Sequence, residues 1–418
     1  MNYQEMINWL GKRPQLAFDK GVSRVQWLLS HLGNPEKRLT TIHVVGTNGK
    51  GSTIAYLEAM FQEAGYRVGR FTSPSIIDFR EQIVYQGQMI TEEDLGNLVI
   101  HLQPLIARLP QETDLEEASD FEILVVAMLV YFANYVETDI VLIEAGMGGL
   151  LDATNVLDSL AVIITSIGLD HQAFLGQTHT EIARHKVGVL KPTVPLIYAT
   201  QHSEVATVIE QVAATLHSST YRLGRDIILK NSRAGLQIQT PLGDVADVQL
   251  AMTGQHQEEN TALAVTAAFL LAERFPNLNP ENMRAGLGKA FWPGRQELVG
   301  PNLLIDGAHN DESIAALCQT LRTDYADKEI EILFAAINTK PVETMLSQLS
   351  TVGQVTVTSF SDQRALALEN YPTNYPSIAS FEDWLVEIDQ TSRDKLYVVT
   401  GSLYFIDPVR KYILSQKE

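Results

Sequence analysis

The chain has 418 residues, more than a single hydrophobic core usually holds, so we expect two domains. Hydrophobic residues make up 45% of the sequence and charged residues 19%, as in ordinary globular proteins, and no stretch is apolar enough to predict a membrane span. The net charge of −19 argues against a nucleic-acid partner, because binding a phosphate backbone requires an excess of Lys and Arg on some face.

The amino-terminal segment MNYQEMINWLGKRPQLAF lacks the apolar core and cleavage site of a signal peptide. We therefore expect a cytoplasmic protein with no membrane partner. We also expect a monomer. The single cysteine, Cys318, excludes an internal disulfide and a cysteine-cluster metal site. Its setting, SIAALCQTL, predicts a buried and chemically inert helix position.

Residues 42–61, IHVVGTNGKGSTIAYLEAMF, predict a strand, a glycine-rich turn and a helix. The backbone N–H groups of such a turn can close around an anion at the positive end of the helix, and Lys50 adds a charge that can reach the outer phosphates. Ser52 or Thr53 could then contact a magnesium ion. The stretch therefore predicts a phosphate-binding loop.

The spacing of this loop differs from the common phosphate-loop pattern G-x-x-x-x-G-K-[ST]. Gly46 lies only four residues before Lys50, and Gly51 separates Lys50 from Ser52. The alternative is a strand-to-helix turn that binds nothing. Several glycines so close together favour the phosphate loop, because they are needed where a ligand approaches the backbone closely.

From residue 40 to about 200, β-rich runs alternate with helical patterns, which predicts a mostly parallel sheet with crossover helices. The segments are TIHVVG, YRVGRFTSP, FEILVVAMLVYFANY, DIVLIEAGMGG, LAVIITSIG and VPLIYAT. Ligands of such sheets lie beyond the carboxyl ends of the strands. The phosphate loop, Glu144 and the pair Asp170–His171 each follow a predicted strand, so we expect them to share one edge.

The second half of the chain begins with short alternating strands within residues 218–252 and a helix from about Glu258 to Phe275. A hinge is predicted at residues 293–301, marked by Pro293–Gly294 and Pro301, after which β and α patterns alternate again. We expect residues 1–295 to form a larger domain that contains the phosphate loop and residues 296–418 a smaller α/β domain. A substrate cleft that closes is favoured at such a border.

Glu144 ends an apolar run, where a carboxylate must be paired or bound to a metal to offset its desolvation. Magnesium would satisfy this requirement, and the alternative is a hydrogen bond to the glycine turn that follows. His171, next to Asp170 at a strand end, is a candidate ligand, although magnesium prefers oxygen and a lone histidine is more often structural.

Lys186 lies in a helix that we expect to be N-capped by Thr178 or Thr180, and its alternative role is that of a solvated surface lysine. The second domain opens with DGAHN, which places Asp306 and His309 at a strand-to-helix turn, while Arg295 lies in the hinge.

Several motifs together resemble the folylpolyglutamate synthases and dihydrofolate synthases of the Mur ligase superfamily. They are, in order, HVVGTNGKGS, FTSPSI, SDFE, EAGMGGLLDATN, LDHQAFLG, ARHKVGVLKP, WPGR, DGAHN and TGSLY. The resemblance spans nearly the whole chain and implies the two-domain α/β layout, with a phosphate-loop ATPase domain followed by a Rossmann-like domain. It also accounts for the shortened phosphate loop.

The resemblance implies an ATP-dependent ligase that adds L-glutamate to a folate through an acyl phosphate. It implies ATP contacts from Gly49, Lys50, Gly51, Ser52, Thr53, Asn260, Arg295 and Asp306, the last two across the hinge. It implies Mg²⁺ ligands at Ser52, Ser73, Glu144 and His171. Catalytic roles fall to Lys50, to His309 beside the reaction and to Lys186, which matches a lysine that the family carries as a carbamate.

The chain departs from many family members at Leu150, at Glu81–Ile83 and at Lys340–Pro341. These departures concern acceptor binding rather than ATP chemistry. The loop SPSI, residues 73–76, differs from the SPHL of bifunctional members and favours polyglutamylation of reduced folates. The first glutamylation of dihydropteroate stays an alternative, as does a nucleotide-binding protein with a decayed active site.

Overall fold

The computed structural model of the chain describes residues 3–14, 20–75 and 78–416. The chain divides into two units. Unit 1 holds residues 79–249 and 259–290 together with the described residues up to 75, and unit 2 holds residues 250–258 and 291–416 together with Asp78.

Unit 1 is an α/β unit. In the described part of the chain, its helices are α1 (Tyr3–Leu10), α2 (Gly21–His31), α3 (Lys50–Glu63), α4 (Glu92–Glu112), α5 (Asp120–Asn134), α6 (Gln172–Leu175), α7 (His179–Val187), α8 (Ser203–Thr215), α9 (Gln255–Leu271, in unit 1 from residue 259) and α10 (Pro280–Leu287), with short 3₁₀ turns at Pro35–Arg38 and Phe79–Gln82. Its strands are β1 (Thr41–Val45), β2 (Val68–Phe71), β3 (Ile83–Tyr85), β4 (Gln88–Met89), β5 (Ile140–Glu144), β6 (Ala161–Ile164), β7 (Leu196–Tyr198), β8 (Thr220–Arg222), β9 (Ile228–Ser232), β10 (Gly235–Thr240) and β11 (Gly243–Val248).

The large sheet of unit 1 has the strand order β4-β3-β2-β5-β1-β6-β7-β8. The six strands from β2 to β8 in this order run parallel, and β3 and β4 are antiparallel, so the predicted mostly parallel sheet is confirmed. In register, Ile42 on β1 lies between Leu142 on β5 and Ala161 on β6. The carboxyl ends of β2, β5, β1 and β6 are therefore neighbours at one edge.

The strands predicted within residues 218–252 are partly rearranged. β8 joins the large sheet beside β7, whereas β9, β10 and β11 form a separate antiparallel sheet. The last strand ends at Val248, short of the predicted Met252. The predicted helix from Glu258 to Phe275 runs instead from Gln255 to Leu271, because the left-handed Gly254 directly precedes it.

Glycines allow helices to approach the sheet and one another closely in unit 1. A Cβ on Gly69 of β2 would lie 2.7 Å from the ring of Phe132 on α5, the segment FEILVVAMLVYFAN. A Cβ on Gly286 of α10 would lie 2.7 Å from the backbone of α3 at Ala59 and Met60. The second contact fixes the helix that follows the phosphate loop.

Unit 2 contains the predicted second α/β arrangement. In its described residues, the strands are β12 (Glu297–Leu298), β13 (Leu303–Ile305), β14 (Glu329–Phe334), β15 (Gln354–Val357) and β16 (Lys395–Thr400), and the helices are α11 (Asp311–Asp324), α12 (Val342–Leu349), α13 (Phe381–Glu387) and α14 (Leu403–Ser415), with a 3₁₀ turn at Leu368–Asn370. The sheet order is β12-β13-β16-β14-β15, parallel except for the β12–β13 pair.

Cys318 lies buried on α11, as predicted, and burial raises the pKa of its thiol. Among the helices that the structure describes, none has both the length and the apolar character needed to cross a bilayer.

Candidate active site

The phosphate loop connects β1 to α3 and depends on two glycines with left-handed or strongly positive backbone angles. Gly49 caps α3 with φ +86°, so the helix begins at Lys50 and directs its N-terminal N–H groups into the loop. Gly46 has φ +156°, and a Cβ there would lie 1.9 Å from the hydroxyl of Thr165. This strand, turn and helix match the sequence prediction and form an anion-binding arrangement.

The loop is fixed by the segment that follows β6. The Thr47 N–H donates to Ser166 O at 3.0 Å, and the Asn48 N–H donates to Ser166 Oγ at 2.9 Å. Thr165 Oγ1 donates to Asn48 O at 2.6 Å, and the Gly168 N–H donates to Thr47 Oγ1 at 2.9 Å. The two strand ends that the sequence places at one edge are thus joined by direct hydrogen bonds.

Lys50 is the first residue of α3, and its side chain is only 17% exposed. Its ammonium donates to Gly46 O at 3.1 Å and to Thr47 O at 3.2 Å, and it lies 3.7 Å from Glu144 Oε1. The side chain is mostly covered because the loop curls around it. Lys50 and Glu144 are brought together, as expected for groups at neighbouring strand ends.

Glu144 ends β5 and is buried. Its Oε2 accepts a hydrogen bond of 3.2 Å from the N–H of Ser73, which follows β2. The Lys50 charge and the Ser73 N–H offset the desolvation of this carboxylate, which satisfies the requirement predicted from the sequence. The loop that contains Ser73 is described as far as Ser75, and Ile76, the last residue of SPSI, lies outside the described residues.

The remaining expected magnesium ligands differ in their exposure. Ser52, in the first turn of α3, is buried, whereas His171 is exposed and has a left-handed backbone at the start of α6. The His171 N–H donates to Asp170 Oδ1 at 2.9 Å. In the described ranges, no three His, Cys, Asp or Glu side chains are grouped so that they could hold a metal ion. The expected ligand set is instead one carboxylate with hydroxyls and one imidazole.

Thr53 and Asn260 are both buried near the start of α3. Thr53 Oγ1 lies in the first turn without a hydrogen-bond partner in the structure. Asn260, on α9, packs against the loop, because a Cβ on Gly49 would lie 2.3 Å from Asn260 Oδ1. The structure thus brings Asn260 to the phosphate loop, although about 210 residues separate them in the sequence.

Lys186 lies in the last turn of α7 and is 3% exposed. The alternative of a solvated surface lysine is therefore wrong. Thr178 caps α7 with a complete capping box, which selects it over Thr180. A Cβ on Gly149 would lie 2.7 Å from Lys186 O, and the Leu150 N–H donates to His185 O at 2.7 Å. The glycine turn after Glu144 thus lies against the helix turn that carries Lys186.

A buried polar network that sequence reasoning missed supports this glycine turn. Asp152 accepts the N–H of Met147 at 2.8 Å and the N–H and hydroxyl of Thr154. Because the Thr154 hydroxyl donates to Asp152, it accepts from Nε2 of His43 on β1 at 2.8 Å. Burial raises the pKa of Asp152, and burial together with the Lys191 charge lowers the pKa of His43 to about 3. The motif GGLLDATN was the available signal for this network.

Unit 2 places Asp306 directly after β13 and buries it. Its carboxylate oxygens accept the N–H of Gln296 at 2.9 Å and the N–H of Ala308 at 2.8 Å. Burial raises the pKa of Asp306, while the positive charge of Arg295 opposes that shift. His309 Nδ1 lies 2.8 Å from Gly307 O. The structure therefore groups Asp306 with the segment that carries Arg295, and Gln296 is a residue of this group that sequence reasoning missed.

Of the residues at which the chain departs from the family pattern, Leu150 contributes its backbone N–H to the contact with the helix turn of Lys186. Leu150 is 46% exposed, although its Cβ packs on Gly188. Gln82 is buried at the end of a 3₁₀ turn, and its side chain donates to Phe79 O at 3.2 Å. Pro341 precedes α12 directly.

The sheet edge and its shortened phosphate loop define an ATP-dependent ligase of the Mur type, and comparison with known proteins agrees. The model of the Mur ligase middle domain matches residues 44–268. The dihydrofolate synthase/folylpolyglutamate synthase of Bacillus subtilis is 36% identical over 98% of each chain. This chain belongs to the folylpolyglutamate synthase/dihydrofolate synthase family of the Mur ligases.

Solved structures of folylpolyglutamate synthases have the same fold. The enzyme of Mycobacterium tuberculosis complexed with ADP and AMPPCP superposes with a TM-score of 0.87 at 28% identity, covering 98% of both chains. A folylpolyglutamate synthase complex with AMPPCP and folate has a TM-score of 0.85 at 30% identity, covering 99% of this chain and 100% of the other. The predicted fold class is confirmed over the length of both chains.

Proposed function

We propose that this chain joins L-glutamate to the carboxylate of a folate acceptor in an ATP-dependent reaction. The observation that carries the proposal is the shortened phosphate loop with Lys50 3.7 Å from Glu144 at the carboxyl edge of a parallel sheet. The relatives named above act as folylpolyglutamate or dihydrofolate synthases, and one solved relative binds an ATP analogue together with folate. ATP, L-glutamate and the folate are the small-molecule partners.

The reaction proceeds in two displacements. An oxygen of the acceptor carboxylate attacks the γ-phosphorus of ATP, and ADP leaves. The amine of glutamate then attacks the acyl carbon, phosphate leaves, and the nitrogen loses a proton as the amide forms. Positioning and charge neutralisation supply most of the rate in such transfers. The N–H groups at the start of α3 and the Lys50 ammonium are the groups of this chain that offset charge on the transferred phosphate.

The nucleotide contacts form part of the proposal. The residues proposed to hold ATP are Gly49, Lys50, Gly51, Ser52, Thr53, Asn260, Arg295 and Asp306. The contact of Asn260 with Gly49 and the unpartnered hydroxyl of buried Thr53 support the assignment of the residues in unit 1. The hydrogen bond from the Gln296 N–H to Asp306, next to Arg295, supports the assignment of the two residues in unit 2.

Magnesium, when bound, neutralises phosphate charge. Ser52, Ser73, Glu144 and His171 are the residues proposed to hold it. The buried Glu144 carboxylate, fixed by the Ser73 N–H, supports this assignment because hard oxygen ligands suit magnesium. We also propose His309 as a catalytic residue, and its position directly after the Asp306 turn supports that role.

We further propose that Lys186 carries a carbamate in the active enzyme. Its burial at the end of α7, against the glycine turn that follows Glu144, supports a modified group better than a solvated ammonium. Two magnesium ions nearby would repel an ammonium, whereas a carbamate reverses the sign of the charge. Lys186→Ala should be nearly inactive and regain activity with added acetate. Full activity of Lys186→Arg would contradict the proposal, because a guanidinium does not form a carbamate.

The acceptor is tested by following ADP release and product mass with L-glutamate and a panel of acceptors. Tetrahydrofolate monoglutamate and a reduced diglutamate should gain one glutamyl residue each, with dihydropteroate a poor acceptor. Comparable kcat/KM on dihydropteroate would establish the second candidate, a bifunctional enzyme. The Bacillus subtilis relative is both a dihydrofolate synthase and a folylpolyglutamate synthase, which favours testing this second candidate. Absence of ADP release with every acceptor would favour a decayed site. A monomeric, cytoplasmic enzyme stays the prediction from the sequence.

A further inference from the structure

Gln296 has a backbone conformation that side-chain-bearing residues rarely adopt. It follows Arg295 directly, its φ is +45°, and the residue is only 8% exposed. Left-handed backbone is strained at a residue other than glycine and persists only where the surroundings hold it. The conformation therefore calls for contacts that fix it.

The backbone of Gln296 supplies the first of these contacts. Its N–H donates to Asp306 Oδ2 at 2.9 Å, while the other carboxylate oxygen accepts the N–H of Ala308. The next residue, Glu297, begins β12 and pairs with Ile305, the residue before Asp306. The left-handed turn at Gln296 thus places Arg295 and Asp306 at one end of the β12–β13 ladder.

The side-chain amide supplies two further contacts, and each joins a different segment of unit 2. The Oε1 atom accepts from Thr253 Oγ1 at 3.1 Å, and Thr253 lies in the segment 250–258. The Nε2 atom donates to Thr320 Oγ1 at 3.1 Å on α11, and that hydroxyl donates in turn to Ala316 O at 3.2 Å. Thr320 is buried, so its hydroxyl depends on these partners.

Each contact uses the amide in a way that other side chains do not reproduce. Glutamine offers one acceptor and one donor group on the same planar end, and here both are used. A carboxylate would keep the acceptor for Thr253 but lose the donor to Thr320. A leucine of similar volume would lose both and leave the Thr320 hydroxyl buried without its donor.

We propose that Gln296 is a positioning residue that holds Arg295 and Asp306 in the arrangement that ATP requires, by joining them to segment 250–258 and to α11. This inference rests on the proposed role of Arg295 and Asp306 in holding ATP. Gln296 acts through Arg295 and Asp306, so its loss should change the affinity for the nucleotide.

The test measures KM for ATP, for L-glutamate and for the folate acceptor in the same assay. Gln296→Leu and Gln296→Gly should both raise KM for ATP about three- to tenfold, as expected for lost hydrogen bonds, with the other two KM values within twofold. The glycine variant tolerates φ +45°, so it removes the amide without adding backbone strain. Gln319→Leu, at an exposed position of α11, is the matched control and should leave all three values unchanged.

A double-mutant cycle separates a shared contact from general destabilisation. Thr320→Val should raise KM for ATP by itself and add little to Gln296→Leu, because both remove the same hydrogen bond. Additive effects, or wild-type KM for ATP in both Gln296 variants, would overturn the inference. If a core variant fails to fold, Thr253→Val removes one contact from an exposed residue and should give a smaller rise in KM for ATP, and no rise would count against the proposal.

Two further variants distinguish this inference from the proposed nucleotide contacts. Arg295→Ala and Asp306→Ala should each raise KM for ATP at least as much as Gln296→Leu. If neither does, the assignment of these residues to ATP is wrong and the inference falls with it. If both do and the Gln296 variants do not, only the inference is wrong.

Discussion

The two units assemble their candidate site residues in different ways. In unit 1, Ser73, Glu144 and the phosphate loop stand at the ends of adjacent parallel strands, so the topology of the sheet alone brings them together. In unit 2, Asp306 follows a strand, but its relation to Arg295 depends on a left-handed residue and on side-chain contacts from two other segments. A site at the edge of a parallel sheet can therefore be predicted from the strand order, whereas a site that depends on a strained turn cannot.

The largest effect should come from the unit 1 edge. Lys50→Ala should lower kcat by about 10²–10³, since loss of one group that stabilises transition-state charge typically costs 2.7–4 kcal/mol. Circular dichroism and a thermal melt should show a folded protein. Lys289→Ala is the matched control, because this exposed lysine pairs with Glu63 in the same unit and should leave kcat unchanged. A Lys50→Ala enzyme with near-normal kcat would contradict the phosphate-loop assignment.

A smaller effect on activity should follow from Asp306→Asn in unit 2. An asparagine keeps one of the two oxygens that accept the N–H groups of Gln296 and Ala308, so KM for ATP should rise about tenfold. Because burial raises the pKa of Asp306, protonation should weaken ATP binding by the wild type as the pH falls through that raised value. The measurement is KM for ATP as a function of pH. An equal rise in KM for ATP at acidic pH in the asparagine variant would show that another group is responsible.

The close contact between Gly49 and Asn260 gives a test on stability. Gly49→Ala should lower the free energy of unfolding by more than the roughly 1–3 kcal/mol of left-handed strain, because its Cβ would meet Asn260 Oδ1 at 2.3 Å. Gly65→Ala is the control, since φ is +83° there and nothing lies within 4 Å of a Cβ. In an Asn260→Ala background the cost of Gly49→Ala should fall towards that of the control. Equal costs at both glycines would show that Asn260 moves aside freely.

Much of unit 1 could be predicted because its signals are local. The run IHVV before the glycines, the apolar strand ending in Glu144 and the strand before Asp170 each indicate their own element, and parallel pairing then aligns their ends. The burial of Lys186 could not be predicted, because α7 is polar in sequence and its cover comes from the distant turn at Gly149. The two-residue strand β12 and the hydrogen bonds of Gln296 have no periodic sequence pattern. They too could be found only from the tertiary contacts in the structure.

The smallest expected effect concerns His43 beneath the unit 1 edge and appears as a dependence of stability on pH. Burial, together with the charge of Lys191, lowers the pKa of His43 in the folded protein from 6.5 to about 3. As the pH falls through 6.5, His43 therefore binds a proton in the unfolded chain but not in the folded protein. The contribution of His43 to the free energy of unfolding is fully present well above pH 6.5 and is lost as the pH falls towards 3. Between pH 8 and pH 6 the loss from this residue should be about 1 kcal/mol.

His43→Gln isolates that contribution, because its amide can still donate to Thr154 Oγ1 but does not titrate. Urea unfolding at pH 8 and pH 6 should show a loss of stability that is smaller in the variant by about 1 kcal/mol. Asp152 contributes with the opposite sign, since its raised pKa gives stability that is lost as the pH rises, but it is present in both proteins and cancels in the difference. An identical pH dependence in the two proteins would mean that His43 is protonated in the fold. The Thr154 hydroxyl would then accept from an imidazolium, and the network that supports the glycine turn beside Lys186 would include a positive charge at His43, linked to Asp152 through that hydroxyl.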